Sequence, residues 1–310
     1  MRVLVTGGAG FLGSHLVERL VAGGHAVVCL DNLSTGRRRN IERLLASDGF
    51  EFVEADVVEP LPVPGPLDRI FHLASVVARH AEQPIATLRT GAEGTRRVLD
   101  LAAERGAVLV LASTSEVYGD PLVHPQVETY AGHVNPVGPR SSYNEAKRFA
   151  EALAVAYGRE RGTAVRIARI FNTYGPRMRA DDGRVVPTFI TRALAGRPLR
   201  VFGTGRQTRS FCYVSDMVEG LLRLAEADYD GPVNLGNPDE VMVLDLARQV
   251  IDLAGSASGL EFGPMPEDDP VRRRPDISLA RRLLGWEPKV GREDGLRRTI
   301  AYYRNEEPGI

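Results

Sequence analysis

The glycine-rich turn Thr6-Gly7-Gly8-Ala9-Gly10-Phe11-Leu12-Gly13 follows an apolar run, Arg2 to Val5, and opens a segment of helical periodicity, with Gly7, Gly10 and Gly13 at intervals of three. Between a strand and a helix this spacing narrows the possible folds sharply. Glycine accepts positive φ and lets a diphosphate approach the backbone, while the helix start offers unpaired N–H groups and the positive end of its dipole. A glycine-rich turn found elsewhere is usually only a turn; the placement gives this one its meaning. Asp31 ends the next predicted strand, 18 residues after Gly13. A carboxylate there accepts hydrogen bonds from ribose hydroxyls and repels a 2′-phosphate, so NAD is expected over NADP. Arg37-Arg38-Arg39 would argue the opposite if recruited to a phosphate, and is otherwise a solvated loop cluster. Asp56, after the third predicted strand, suits the adenine side or is a plain loop aspartate.

The alternation continues. Strands are expected at Arg2-Val5, Ala26-Leu30, Glu51-Glu54, Arg69-His72, Val108-Ala112 and Ala164-Ile170, and helices at Gly13 to Ala22, Pro84 to Glu104 and Tyr143 to Arg161. This pattern predicts an α/β fold: a doubly wound parallel (Rossmann) sheet of six strands. The proline-rich stretch Pro60 to Pro66 reads as a loop. After Phe171 the alternation loosens, and 310 residues suit two domains. The division expected is 1–170, also receiving 213–237, and a second, smaller mixed α/β domain in 171–310, mainly 171–212 and 238–310.

With 39 Lys+Arg against 40 Asp+Glu the net charge is −1, so no global positive field gathers nucleic acid or an anionic membrane. The apolar start breaks too early for a signal segment and no later run approaches a membrane span, which makes a soluble, cytoplasmic protein the default. Cys29 and Cys212 match no metal-ligand spacing and read as buried thiols, with neither disulfide nor metal expected.

Tyr143 and Lys147 stand four apart on a predicted helix, so both rise from one face, where the ammonium is expected to depress the phenol pKa and make a general base. Such pairs are common on surface helices. Here Ser113-Thr114-Ser115-Glu116-Val117-Tyr118-Gly119 follows a predicted strand, which puts its hydroxyls at the carboxyl end of the sheet, where the crevice of a doubly wound fold opens.

The ordered set TGGAGFLG, Asp31, STSEVYGD, YNEAK and FNTYGPRM resembles the extended short-chain dehydrogenase/reductases that act on nucleotide sugars. Within that group STSEVYGDPLVHPQVETYAGHVNPVGPRSSY, RIFNTYGPRM, DGRVV, QTRSFCYVSD, PVNLGNP and DDPVRRRPDISLARRLLGWEP are similar to the UDP-glucuronate decarboxylases. The resemblance covers nearly the whole chain. It implies that the first domain binds NAD through Gly7, Gly10, Phe11, Leu12, Gly13, Asp31, Asn32, Ser34, Thr35, Gly36, Asp56, Val57, Leu73, Ala74 and Ser75, together with Tyr143 and Lys147. It implies that the second binds the nucleotide sugar, with Arg79, Glu116, Asn172, Arg184, Val185, Arg209 and Arg272 as substrate contacts and Arg209 foremost for the diphosphate. Tyr143, Lys147 and Thr114 would oxidise C4 of the sugar. Glu116, Ser115 and Arg273 would assist at the carboxylate and in protonation at C5. A homodimer through the helices of Pro84-Glu104 and Tyr143-Arg161 is implied as well.

Three other outcomes stay open. A 4,6-dehydratase carries Asp at the place of Ser115, which weakens that reading. A UDP-sugar 4-epimerase needs no carboxylate at Glu116, although a spectator Glu there is compatible with one. An NAD(H)-binding sensor of the same fold would commonly lose the Tyr/Lys pair, which this chain keeps. The chain departs from the family at Val76-Val77-Ala78-Arg79-His80, where a Pro-rich continuation and a tyrosine are missing, and at Gly91, where Asn is usual.

Overall fold

Val3, Leu4 and Val5 are all fully buried, and a strand buried on both faces belongs to a parallel sheet covered by helices on each side. The structure, a computed structural model, describes residues 1–77, 82–266 and 269–306. Its first part runs β1 (Arg2–Thr6), α1 (Phe11–Ala22), β2 (Ala26–Asp31), β3 (Phe50–Glu54), β4 (Arg69–His72), α2 (Pro84–Arg89), α3 (Thr95–Arg105), β5 (Val108–Thr114), α4 (Ser141–Arg161) and β6 (Val165–Ile170). There follow β7 (Thr173–Tyr174), α5 (Val185–Leu194), β8 (Leu199–Phe202), β9 (Thr208–Ser210), β10 (Cys212–Tyr213), α6 (Val214–Glu226) and β11 (Pro232–Leu235). The remainder comprises β12 (Glu240–Met242), α7 (Val243–Ala254), β13 (Leu260–Gly263), β14 (Arg272–Arg273), α8 (Ser278–Leu284) and α9 (Arg292–Glu306).

Among the described residues the main sheet has seven parallel strands in the order β11-β6-β5-β4-β1-β2-β3. All six expected strands are in it. The expectation of six is corrected by β11, a four-residue edge strand that begins with proline and pairs only with β6. Strand order reverses between β1 and β4, which opens the ligand crevice outside their carboxyl ends. Side chains of β1 alternate between two cores: Val3 and Val5 join Leu16, Val17 and Leu221 on one face, and Leu4 joins Ile70, Leu99 and Leu109 on the other.

The helix expected over Pro84 to Glu104 is divided into α2 and α3 by a π-helical turn, Thr90–Gly94. The reason is a close approach to α4, since a Cβ on Gly91 would lie 2.6 Å from that of Ala146. Beyond β6, small sheets β12-β9-β14, β10-β7 and β13-β8 share the apolar core of the α1 and α6 face through Val241, Tyr174 and Val201. Cys29 and Cys212 are free buried thiols. No described helix is long and apolar enough to cross a membrane.

Candidate active site

The glycine turn is shaped for a close-lying ligand. Gly7 has φ +70°, and a Cβ on Gly13 would stand 2.1 Å from the Gly7 carbonyl oxygen, so a side chain at either place would break the turn. Gly10 precedes α1, whose start has no side-chain cap and no acidic residue in its first turn. Its positive end is therefore left for an external anion. At the end of β2, Asp31 accepts from the N–H groups of Ala9 (3.0 Å) and Leu33 (2.8 Å). Burial holds its carboxyl above the usual range, opposed by the N–H groups of Leu33, Ala9 and Gly10. Asn32 donates to Asp56 at 2.8 Å and receives the Ser34 hydroxyl at 2.7 Å. Arg37 pairs with Asp181 at 3.7 Å and Arg38 lies over the Phe52 ring, so these two arginines have protein partners away from Asp31. The residues fit a dinucleotide with a free 2′-hydroxyl.

One cavity of about 500 Å³ joins this cradle to Thr114, Ser115, Glu116, Tyr143 and Lys147. It also takes in Phe11, Leu12, Thr35, Val57, Leu73, Ala74, Ser75, Asn172 and Arg184. Gly36 is not among its lining residues; it sits against the Asp31 carboxylate, where a Cβ would come within 2.6 Å. Lys147 is buried and donates from Nζ to the Ala112 carbonyl at 2.8 Å. Burial lowers its pKa to about 8, and Glu151 opposes that shift. Tyr143 is pushed up to about 12 by burial; a hydrogen bond with Thr114 lowers it, Glu116 raises it, and Arg184 and Arg140 lower it. The expectation that Lys147 depresses this phenol is thereby corrected: the ammonium is turned to a β5 carbonyl, and the opposing influences come from Thr114, Arg184 and Arg140.

Parallel pairing of β14 with β9 sets Arg273 beside Arg209. Like charges in such register repel, and two carboxylates counter them. Arg273 is fully buried; it donates to Ser115 Oγ (3.1 Å) and the Gly119 carbonyl (2.9 Å) and stands 3.3 Å from Glu116. Arg209 donates to Asp269 at 2.7 Å. Arg140 reaches Glu116 at 2.9 Å and Asp269 at 3.9 Å. Burial pushes the Glu116 carboxyl up, but Arg273 and Arg140 outweigh it and hold the pKa at about 2. At neutral pH Glu116 is therefore a carboxylate, held against both arginines. The three neighbouring arginines of the sequence separate clearly, because the strand turns Arg273 inward and leaves Arg272 exposed. Arg184 precedes α5, donates to Asp182 at 2.7 Å and is followed by Val185 as the first residue of that helix. Arg79 lies outside the described residues.

Sequence reasoning missed Arg140, Asp269 and Arg177. Arg140 stands one helical turn before Tyr143, a signal available in PRSSY. Arg177 lines the cavity at φ +66° and donates to Glu18 of α1 at 2.6 Å, a long-range pair that no local pattern announces.

Residues 3–236 match the model of the NAD dependent epimerase/dehydratase family. Over 307 residues the chain is 52% identical to UDP-glucuronic acid decarboxylase 1 of Xenopus tropicalis, covering 98% of this chain and 72% of that protein. Identity to UDP-glucuronic acid decarboxylase 2 of Arabidopsis thaliana is also 52%, over 98% of this chain and 68% of the relative. Among solved structures, a UDP-glucose 4-epimerase from Thermotoga maritima with UDP-glucose superposes with TM-score 0.90 at 30% identity, covering 98% and 99% of the two chains. A dTDP-glucose 4,6-dehydratase from Streptomyces venezuelae with NAD bound gives TM-score 0.90 at 31% identity, covering 99% and 98%.

Proposed function

The chain belongs to the NAD dependent epimerase/dehydratase family, and from that premise we propose that it converts UDP-glucuronate to UDP-xylose with NAD as a recycled cofactor. Decarboxylase relatives at 50–52% identity over 98% of the chain support the substrate class. The observation that carries the outcome is Glu116 held ionised between Arg273 and Arg140 beside Thr114 and Tyr143. A 4,6-dehydratase must protonate a departing hydroxyl, and at the place where those enzymes carry an Asp this chain has Ser115, which is no such acid. Loss of carbon dioxide needs no such acid.

Gly7, Gly10, Gly13 and the start of α1 would hold the NAD diphosphate, and Asp31 its adenosine ribose. Bound NAD supplies reversible hydride acceptance at C4. Tyr143 takes the C4 hydroxyl proton as a tyrosinate, a form that the positive ring of bound NAD would favour against the burial that raises its pKa; Thr114 orients that hydroxyl, and Lys147 keeps positive charge behind the pair. The C4 ketone is β to the C5 carboxylate, so the bond to the carboxylate breaks with its electron pair passing into an enolate. Arg273 and Arg140, fixed by Glu116, support that negative charge. A proton from solvent water then adds at C5, and Tyr143 returns its proton to O4 as the ketone is reduced. Arg209, with Asn172 and Arg184, would bind the UDP portion, arginine forks being suited to phosphate.

In the same reading residues 1–170 with 213–237 serve NAD, while 171–212 with 238–310 serve the nucleotide sugar. Exposed Ile85 and Leu88 on α2 and Phe149 on α4 support a homodimer through these helices. The near-zero net charge supports a protein with no global positive field to gather nucleic acid or an anionic membrane.

Purified protein given UDP-glucuronate and NAD should release carbon dioxide and form UDP-xylose. UDP-galacturonate as product would replace this reading by 4-epimerisation, and no turnover of any UDP-sugar would leave a dinucleotide-binding sensor.

A further inference from the structure

Three consecutive residues of β5 hold three consecutive turns of α4. The Thr114 hydroxyl meets Tyr143, the Ala112 carbonyl accepts from Lys147 Nζ at 2.8 Å, and the Ser113 hydroxyl donates to Glu151 at 2.5 Å. Tyr143, Lys147 and Glu151 are spaced by four and so share one helix face. The first two serve the proposed reaction, but Glu151 has no part in it. It is gripped from β6 by Arg169, which donates from Nε (3.0 Å) and Nη2 (2.8 Å) to its two oxygens. The side chains of this bidentate pair are only 12% and 13% exposed. Arg169 is held in turn by the Tyr118 hydroxyl (3.0 Å) and the Glu128 carbonyl (2.9 Å). Arg169 and Ser113 thus fix α4 along two adjacent strands at the place where β5 presents its carbonyl and hydroxyl to the reacting pair.

We propose that Glu151 is a positioning residue for the proton chemistry, setting the register of α4 on β5 and supplying counter-charge one turn behind Lys147. This rests on the roles of Tyr143 and Lys147 proposed above. Burial lowers the pKa of the ammonium, and Glu151 is the charge that opposes it. The other groups facing Lys147 do not replace that charge. Tyr143 on its own helix is held neutral, and His72 at the end of β4 is brought by burial to about 3 and is neutral. From β5 come a carbonyl and hydroxyls, and from β6 comes Arg169, already engaged by Glu151.

The full chain contains two lysines, Lys147 and Lys289. Lysine labelled with carbon-13 at Cε therefore gives two signals, assigned by Lys289→Arg. The Lys147 midpoint should lie near 8 in the parent protein and fall by about one pH unit in Glu151→Gln. Ser113→Ala, which removes a hydrogen bond but keeps the charge, should leave it in place, and Glu151→Asp should recover most of the shift. The alkaline limb of kcat for UDP-glucuronate should move with the Glu151→Gln midpoint, while KM changes by less than about twofold. A Glu151→Gln midpoint identical to the parent's would overturn the proposal and reduce the pair to a structural one. If that variant does not fold because Arg169 is left unbalanced, Glu151→Gln/Arg169→Gln reads the same midpoint: a fall supports the proposal and an unmoved value overturns it. Absence of parent turnover would reject the proposed reaction and leave the titration as the test of this inference.

Discussion

At the scale of single residues, the site works by setting ionisation states apart. Tyr143 is kept neutral by burial, Lys147 is brought near 8, and Glu116 is kept ionised by arginines. Tyr143→Phe should lower kcat for C4 oxidation by at least about a hundredfold while leaving NAD affinity within about twofold, as read by a binding titration beside the assay. Glu116 also ties stability to pH. Its folded pKa is about 2 against an ordinary 4.5, so on acidification the unfolded chain takes up this proton first. The stabilisation is complete above about 4.5 and is lost as pH falls toward 2, on the order of 3 kcal/mol. Calorimetry should find the acid limb of Tm flatter in Glu116→Gln than in the parent. A parallel limb in that variant would show that Glu116 is not the group responsible.

At the scale of elements, β1, the glycine turn and α1 act as one unit. Gly13→Ala would drive a methyl group into the Gly7 carbonyl, so α1 must shift. The expected result is a loss of about 1–3 kcal/mol in stability, seen as a lower Tm, together with at least about tenfold weaker NADH binding by fluorescence titration. This unit was legible in the sequence because a strand, a turn and a helix of short range each carry their own periodicity. So were the other long strands and the face shared by Tyr143 and Lys147. What escaped depended on partners far along the chain. The short strand β11 exists only through its ladder with β6, and the π-helical turn arises where Gly91 meets Ala146 of α4. Arg140 finds Glu116 across 24 residues, and the inward turn of Arg273 is decided by pairing with β9. A one-residue change in that register would exchange Arg272 for Arg273, which is why the run of arginines could not be read alone.

At the scale of the whole molecule, the cavity is walled by residues between Gly7 and Arg184, and α1 is bound to the segment after β7 twice, through His15 with the Pro176 carbonyl (2.9 Å) and Glu18 with Arg177. The dinucleotide cradle and the sugar-facing wall are therefore braced by a common helix. On the outside, Ile85 is 74% and Phe149 is 49% exposed on α2 and α4. Phe149→Asp should convert the proposed dimer to monomers in sedimentation at micromolar concentration, with the cavity residues untouched; a monomeric parent would remove the dimer outright. The scarcity of lysine has a practical consequence. Lys289 is exposed near α9, whereas Lys147 is enclosed. With the α-amine blocked beforehand, amine coupling to a bead or a dye should therefore occur at a single external point, giving a uniformly oriented preparation whose ligand chamber stays open to solution.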